Sequence, residues 1–282
     1  MGGAPRSAAG AAPVSVDSAC YFTAMSIKLF ITGASGGLGA ELARAYATAD
    51  TVIAITARRR AELEVVAATL PGTVLVYALD VTDAQALAGA GADFVERHGA
   101  PDIVIANAGI SAGTMTEMSQ DLAPFEKLFR VNVVGMFATF APFVAAMRAR
   151  GSGTLVGNAS VAGIRGMPGS GGYCASKAAV ISYLEALRGE MRPYRIDVAT
   201  ILPGYIRTPL TAKNPYRMPF LLEADEAARR IRRAIDGGAS YAVVPWQMAV
   251  VSKLLRLLPN PLFDRLFAGK RRKPRAEEGQ KL

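Results

Sequence analysis

Histidine, cysteine and long apolar runs are scarce in this sequence of 282 residues. There is one histidine, His98, and there are two cysteines, Cys20 and Cys174, so no spacing typical of a metal site or a disulfide framework is present. We therefore expect no metal and a reducing, cytoplasmic setting. His98 precedes Gly99 at the end of a helical pattern, which favours a place in the last helical turn over the role of a ligand.

No segment offers the run of about 20 apolar residues that a membrane-spanning helix needs. Residues 1–24 are rich in Ala, Gly and Ser and lack the continuous apolar stretch of a secretory signal. We expect residues 1–24 to be a flexible N-terminal extension, with the ordered domain beginning near Met25.

The overall composition is that of a folded protein with an excess of positive charge. Apolar residues make up 51% of the chain, which is enough for a sizeable core. The formal charge of +9 comes from basic residues spread along the chain, and the one dense cluster is Lys270–Lys273 with Arg275. A cluster confined to the end of the chain does not resemble a nucleic-acid-binding face, so we expect no nucleic-acid partner.

From Ile27 onward, short β-branched runs alternate with longer helical patterns. This alternation predicts a single doubly wound, Rossmann-type α/β domain over residues 25–245, with a seven-stranded, mainly parallel sheet and helices on both faces. The predicted strands lie near 27–32, 51–56, 73–79, 102–106, 153–158, 196–202 and 241–245, and the predicted helices near 37–48, 59–69, 83–97, 121–149, 172–192 and 224–237. Such sheets bind ligands beyond the carboxyl ends of their strands.

The remaining residues, 246–282, have the pattern of an amphipathic helical tail with a basic C-terminus. Apolar residues recur with roughly helical spacing from Trp246 to Phe267, interrupted by Lys253 and Arg256. Such a tail can lie on an anionic membrane as a peripheral contact, cover a neighbouring subunit or pack on its own domain, and the sequence leaves these alternatives open.

A tyrosine and a lysine lie four residues apart within a predicted helix, at Tyr173 and Lys177. Side chains at this spacing lie one above the other on a helix, so the ammonium of Lys177 can lie beneath the phenol of Tyr173. A nearby positive charge lowers the pKa of a phenol, which makes it a usable proton carrier at neutral pH. The hydroxyl of Ser160 can hold the oxygen of a carbonyl or an alcohol beside it.

A glycine-rich turn, Thr32–Gly39, follows the first predicted strand. In this turn Gly33 suits the tight bend, Gly37 lets the backbone approach a pyrophosphate, and Gly39 permits close packing of helix on strand. Leu38 belongs to the same turn. A structural turn without a ligand is the alternative, and the position after the first strand of an alternating pattern favours the dinucleotide site.

The second predicted strand is followed by the basic run Arg58–Arg60 and by no acidic residue. A 2′-phosphate calls for a cation at this place, whereas the ribose hydroxyls of NAD are usually held by an acid. We therefore expect NADP(H) rather than NAD(H), with Arg58 as the phosphate ligand, assisted by Ser35 or Arg59. A solvated helix start is the alternative interpretation.

Further polar residues follow the next strands. Asp80 is placed to accept from an adenine amino group, with the Val81 backbone beside it, although a helix cap also explains an aspartate there. The small residues of Asn107-Ala108-Gly109 leave space for the cofactor ribose. Asn132 interrupts the apolar face of a long helical pattern, and a buried amide at that place needs hydrogen-bond partners.

In order and spacing these motifs resemble the classical short-chain dehydrogenase/reductase family over about residues 26–245. The resemblance extends through Asn158-Ala159-Ser160 and the Tyr173–Lys177 pair to Pro203-Gly204 with Thr208. Two positions depart from the family pattern, since Ala106 and Ala159 stand where the family often has Asn and Ser.

The resemblance implies an NAD(P)-dependent oxidoreductase that transfers a hydride between nicotinamide and a carbonyl or secondary alcohol. It implies that Tyr173 is the general acid of reduction, that Lys177 tunes the phenol and binds ribose, and that Ser160 polarises the carbonyl. It further implies that Asn132 orders a water linked to Lys177 and that the segment 203–208 wraps the nicotinamide end, with Ile206 and Thr208 near the carboxamide. Dimers or tetramers are common in the family, so we expect a homodimer or homotetramer.

Two segments, 163–172 and 205–223, are predicted to flank the substrate. Both are apolar, which favours a lipophilic carbonyl compound, although packing of loops against the core gives the same composition. The alternative function is a catalytically idle NADP-binding sensor or scaffold, which the presence of Ser160, Tyr173 and Lys177 disfavours.

Overall fold

The computed structural model describes residues 27–212, 214–269 and 273–275. The predicted N-terminal extension, residues 1–24, lies outside the described residues.

A seven-stranded sheet with the order β3-β2-β1-β4-β5-β6-β7 forms the centre of the domain. Every neighbouring pair of strands is parallel, so the prediction of a doubly wound sheet is confirmed and the sheet is parallel throughout. The strands are β1 (Lys28–Thr32), β2 (Val52–Ala57), β3 (Thr73–Ala78), β4 (Ile103–Ala106), β5 (Gly153–Asn158), β6 (Ile196–Pro203) and β7 (Tyr241–Val244).

Helices follow the strands along the chain and cover both faces of the sheet. They are α1 (Gly37–Tyr46), α2 (Arg60–Ala67), α3 (Ala84–His98), α4 (Leu122–Phe129), α5 (Gly135–Arg150), α6 (Gly171–Met191), α7 (Ala224–Asp236), α8 (Trp246–Leu257) and α9 (Asn260–Phe267). The long helix predicted at 121–149 consists of α4 and α5 joined by one wide π turn, Arg130–Val134. His98 is the last residue of α3, as its position before Gly99 predicts.

Two apolar cores lie on opposite faces of the sheet, because alternate residues of a strand point to opposite sides. On β1, Phe30 belongs to one core, while Leu29 and Ile31 belong to the other. Phe30 packs against the ring of Phe143 on α5 at 4.7 Å and against Phe94 on α3 at 6.0 Å. Burial on both faces explains why the central strands read as continuous β-branched runs in the sequence.

The helical region from Ser119 to Arg150 is long and apolar enough to cross a membrane by length and composition, but half of its most apolar stretch is buried inside the protein. It packs against α3 and α6. Its apolar composition is therefore explained by its place in the core.

The C-terminal tail forms two helices, α8 and α9, where the sequence pattern predicts one. Leu258 is extended, with ψ of 128°, and Pro259 follows it. A proline has no N–H to donate and disfavours helical geometry at the preceding residue, so the helix ends there.

Arg165 attaches this tail to the domain. Its guanidinium donates hydrogen bonds to the carbonyl oxygens of Leu255 at 2.7 Å and Leu258 at 2.6 Å, and it lies 4.0 Å from the centre of the Phe263 ring. One side of α8, with Met248 and Ser252, is buried on the domain. The other side exposes large apolar residues: Trp246, Val250, Leu254 and Leu257.

Candidate active site

The glycine turn connects β1 to the amino end of α1 with a bent backbone. Gly33 and Gly37 have positive φ angles of 72° and 55°, which residues with a side chain rarely adopt. A Cβ atom on Gly39 would lie 2.2 Å from the carbonyl oxygen of Gly33, so helix and strand approach as closely as glycine allows. No side chain caps the amino end of α1, which leaves its N–H groups facing a cavity. Exposed helix N–H groups of this kind bind phosphate oxygens.

A chain of polar contacts connects this turn to the middle of the sheet edge. The side-chain amide of Asn107 donates to the carbonyl oxygens of Thr32 at 3.0 Å and Gly33 at 3.1 Å. The amide of Asn158 donates to Asn107 Oδ1 at 2.7 Å, and the Asn158 carbonyl accepts from Lys177 Nζ at 2.7 Å. Side-chain amides therefore join the glycine turn, β4 and β5, and the Lys177 ammonium joins α6 to them.

The three residues with the chemistry for proton transfer come together where β5 ends and α6 begins. Ser160 follows β5 and caps a short 3₁₀ turn, its hydroxyl accepting from the Ala162 N–H at 3.2 Å. Tyr173 lies in the first turn of α6 and Lys177 one turn later. Burial raises the pKa of the Tyr173 phenol, and the neighbouring Ser160 hydroxyl opposes this in part by lowering it. The Tyr173 phenol, the Lys177 ammonium and the Ser160 hydroxyl thus line the same part of one cavity.

Burial has the largest effect on the two titrating groups of this arrangement. It raises the pKa of Tyr173 to about 12 and lowers the pKa of Lys177 to about 8, because a low-dielectric environment disfavours the charged form of each group. The prediction that Lys177 brings the pKa of Tyr173 below its ordinary value is wrong for these protein groups alone. The ammonium is directed towards the Asn158 carbonyl, and burial is the largest effect on the pKa of the phenol.

Asn132 lies in the π turn between α4 and α5 and is 1% exposed. Its Oδ1 accepts from the Ile110 N–H at 2.9 Å, and its Nδ2 donates to the Ile110 carbonyl at 3.1 Å and to Ser176 Oγ at 3.0 Å. Ser176 in turn donates to the carbonyl of Tyr173 at 2.8 Å. The partners that this buried amide was expected to need are therefore present, and they join the loop after β4 to α6.

The adenosine end of the cavity is bounded by the residues that follow β2 and β3. Arg58 is exposed and lines the cavity together with Arg59, whose guanidinium pairs with Glu62. Asp80 also lines it, and its Oδ1 accepts from the N–H of Thr82 at 2.9 Å. The helix cap itself is provided by Asp83, which accepts from the Ala86 N–H at 2.9 Å.

The segment after β6 closes the opposite side of the cavity. Its two ends are paired, since the N–H of Arg207 donates to the Leu222 carbonyl at 2.8 Å and the N–H of Leu222 donates to the Tyr205 carbonyl at 3.0 Å. Thr211 Oγ1 is bonded to the carbonyl of Ile206. The described residues of this segment, 205–212 and 214–222, therefore lie beside the cleft in a loop closed at both ends.

Almost all of the residues predicted for the site line one cavity of about 420 Å³. Those that line it are Gly33, Ser35, Gly37, Leu38, Gly39, Arg58, Asp80, Val81, Asn107, Ala108, Gly109, Ser160, Tyr173, Lys177, Pro203, Gly204, Ile206 and Thr208. Of the predicted site residues, only Asn132 does not line the cavity, whereas its neighbour Val131 does.

The sequence interpretation missed two residues at this site. Asn158 was quoted only as part of a motif, and its contacts to Asn107 and Lys177 depend on strands that meet only in the folded sheet. Lys273, in the C-terminal tail, lies with its Nζ 4.6 Å from the ring centre of Tyr173. No local pattern in the basic cluster 270–275 distinguishes this lysine from its neighbours.

The cavity fits a dinucleotide on three observations. The uncapped amino end of α1 faces it, a Cβ atom at Gly36 would meet nothing within 4 Å, and the buried Oδ1 of Asn158 has no hydrogen-bond partner in the described structure. The fold and this cleft define the class of the protein as an NAD(P)-dependent oxidoreductase with a Rossmann-type domain.

Comparison with known proteins agrees with this class. The profile of the family described as short chain dehydrogenase matches residues 28–218. An uncharacterized oxidoreductase of Myxococcus xanthus is 36% identical over 240 residues, which cover 83% of this chain and 93% of that protein. The chain belongs to the short-chain dehydrogenase/reductase family, and the recognition made from its motifs is confirmed.

Two solved structures are similar to this fold and carry different cofactors. An alcohol dehydrogenase from Thermococcus sibiricus, complexed with 5-hydroxy-NADP, has a TM-score of 0.70 at 26% identity, with 78% of this chain and 96% of that chain covered. A 3-ketoacyl-(acyl-carrier-protein) reductase from Brucella melitensis, complexed with NADH, has a TM-score of 0.69 at 25% identity, with 77% and 96% covered. Structural neighbours thus include complexes with both kinds of nicotinamide nucleotide.

Proposed function

We propose that this protein is an NADPH-dependent carbonyl reductase in which Tyr173 is the general acid. The observation that carries the proposal is the convergence of Ser160, Tyr173 and Lys177 at one end of the cavity whose other end is the glycine turn. The cofactor supplies the hydride; the protein aligns the carbonyl and provides the proton. Ser160 holds the carbonyl oxygen, and the Tyr173 hydroxyl donates a proton to that oxygen as charge develops on it.

The protonated state of the Tyr173 phenol supports the reductive direction. With a pKa of about 12 the phenol keeps its proton at neutral pH, which is the form that reduction requires. Lys177 is placed to hold a cofactor ribose from its buried position, and its carbonyl partner, Asn158, fixes its ammonium at 2.7 Å. Asn132 supports the same arrangement by joining the loop after β4 to α6.

The choice of NADPH rests on Arg58. Its side chain lines the cavity next to the uncapped end of α1, and Arg59 stands beside it. No acidic residue follows β2 directly, where an NAD-dependent site would place one for the ribose hydroxyls. A guanidinium at this place recognises a 2′-phosphate by paired hydrogen bonds.

The decisive experiment compares the variant Tyr173→Phe with the variant Tyr183→Phe. Tyr183 lies on the same helix, packs against Phe137 and is not among the residues lining the cavity, so it is a matched control. NADPH oxidation is followed across a panel of lipophilic ketones and aldehydes, and NADPH binding by fluorescence. We expect Tyr173→Phe to bind NADPH normally and to lose reduction by orders of magnitude, while Tyr183→Phe retains both.

Near-normal turnover by Tyr173→Phe would remove the proposed acid. If the unmodified protein binds NADPH and oxidises it with no carbonyl compound of the panel, the idle sensor becomes the better account. The apolar segments 163–172 and 205–223 are the reason for choosing lipophilic carbonyls for this panel.

We further propose that the exposed apolar face of α8 is covered by a membrane surface or by a second subunit of a homodimer or homotetramer in the cytoplasm. Trp246 is 67% and Leu257 78% exposed, and Lys253 and Arg256 lie beside them. Sedimentation with anionic vesicles, together with the measured mass in solution, distinguishes the two. A protein that neither binds vesicles nor associates would contradict both.

A further inference from the structure

The chain returns to the candidate active site after α9, at residues 273–275. The N–H of Gly113, in the loop after β4, donates to the carbonyl of Pro274 at 2.8 Å, and Gly113 forms a parallel bridge with Arg275. A Cβ atom on Gly113 would lie 2.3 Å from the carbonyl oxygen of Lys273. The loop therefore has a glycine at the point where the tail crosses it, and any other residue would push the tail away.

An ion pair between a partly exposed arginine and a buried carboxylate fixes the tail in this position. Arg275 donates to both carboxylate oxygens of Asp121, with Nη2 2.7 Å from Oδ1 and Nε 2.8 Å from Oδ2. The side chain of Asp121 is 4% exposed and also accepts from the Met115 N–H at 2.8 Å. A buried carboxylate needs a partner, and the two parallel hydrogen bonds from a guanidinium define the position of the tail as well as neutralise the charge.

The Arg275–Asp121 ion pair holds Lys273 over the ring of Tyr173. Its Nζ lies 4.6 Å from the centre of the Tyr173 ring, and burial lowers the pKa of the lysine to about 8, so it is mostly charged at neutral pH. Among the described residues no carboxylate forms a salt bridge with Lys273. Its electrostatic neighbour is Cys174, a buried free thiol. A shielded cation without a carboxylate partner is stabilised by an anionic group that binds beside it.

We propose that Lys273 is a substrate-binding residue, and that its ammonium binds the carboxylate of an oxo acid whose keto oxygen faces Tyr173 and Ser160. The proposal rests on the proposed carbonyl reduction and names the substrate class for it. Reduction adds a hydride and a proton across the keto group, which gives a hydroxy acid and the oxidised nucleotide, while the carboxylate is unchanged. The apolar segments beside the cleft then accommodate the rest of the oxo acid.

The test compares oxo acids with their uncharged ethyl esters as substrates. A series of 2-, 3- and 4-oxo acids is used, because the series also reports the spacing between the keto group and the carboxylate. For the preferred acid, Lys273→Met should lower kcat/KM by at least tenfold, which corresponds to about 1.4 kcal/mol, mainly through a higher KM. Reduction of the matching ester should change by no more than about twofold. Lys273→Arg, which keeps the charge, should retain most of the preference.

The Arg275–Asp121 ion pair provides a second variant that leaves Lys273 itself intact. Arg275→Met removes the partner of Asp121, so the tail loses its anchor and the preference for acid over ester should fall as it does in Lys273→Met. Arg265→Met is the matched control, because Arg265 is an exposed arginine on α9 of the same tail. It should leave the preference unchanged, and all four variants should bind NADPH as the unmodified protein does.

Equal losses for acid and ester in Lys273→Met would overturn the assignment, as would an unmodified protein that reduces esters and rejects every acid. In both cases the proposed function stands, because ester reduction that depends on Tyr173 is still observed. Failure of the unmodified protein to reduce either class, or any compound of the lipophilic panel, would instead refute the proposed function itself.

Discussion

The substitution Gly39→Ala tests the geometry of the glycine turn directly. The added Cβ would lie 2.2 Å from the Gly33 carbonyl oxygen and 2.5 Å from Asn107 Nδ2, distances that real Cβ atoms do not show. Since the nearest atom belongs to the backbone, the turn itself has to move. Overpacking of this kind destabilises by about 1–3 kcal/mol. Moving Asn107 also weakens its bonds to Thr32 and Gly33, each with a net contribution of about 0.5–1.5 kcal/mol.

We therefore expect Gly39→Ala to lower the free energy of unfolding by about 2–4 kcal/mol. NADPH binding should weaken too, because the N–H groups at the amino end of α1 shift with the turn. Gly36→Ala is the control within the same turn, since a Cβ at Gly36 meets nothing within 4 Å and its backbone, with φ of 168°, is extended. It should change the free energy of unfolding by about 1 kcal/mol or less. Denaturant unfolding and fluorescence titration with NADPH measure both quantities. Equal stability of the two variants would show that the close contact does not govern the turn.

Two further predictions concern the cofactor and the pH profile. Arg58→Ala should shift the ratio of the kcat/KM values for NADPH and NADH towards NADH by about 10- to 100-fold, because a charge-assisted phosphate contact contributes about 1.5–3 kcal/mol. Arg60→Ala is the control, since the Arg60 side chain pairs with Glu64, and it should leave this ratio unchanged. An unchanged ratio in Arg58→Ala would contradict the assignment. Because burial lowers the pKa of Lys177 to about 8 while Tyr173 keeps its proton to about pH 12, kcat/KM for reduction of a neutral ketone should be constant below pH 8 and fall above it as the ammonium loses its proton. The fall should persist in Lys273→Met, and a profile constant to pH 10 would refute it.

The sheet was predictable from the sequence because its central strands are buried on both faces. A run such as Val52–Ala57 has no polar alternation and is bounded by turn residues, so its ends are recognisable within one or two residues. The residues lining the cavity follow from the same pattern, since the carboxyl ends of parallel strands meet at one edge. The tail was less predictable, because the apolar spacing continues through Pro259 although the helix does not.

Contacts between distant segments are the part that the sequence could not supply. The amide chain from Gly33 through Asn107 and Asn158 joins three strand ends, and no one of these asparagines differs locally from an ordinary turn residue. In the sequence, Lys273 is one member of a basic cluster. Such a cluster is expected to face solvent or to bind an acidic surface. Its position depends on a carboxylate, Asp121, that a sequence reader takes for a helix start.

The pKa values of Tyr173 and Lys177 depend on the same kind of non-local information. The spacing of Tyr173 and Lys177 is helical, and from spacing alone the lysine should lower the pKa of the phenol. The folded protein buries both groups, so each is moved towards its neutral form, and the ammonium is directed to the carbonyl of Asn158. A protonated phenol beside a bound carbonyl can donate its proton to the carbonyl oxygen. Oxidation of an alcohol would first require the phenolate. Under the proposed function, the protein groups by themselves therefore favour reduction.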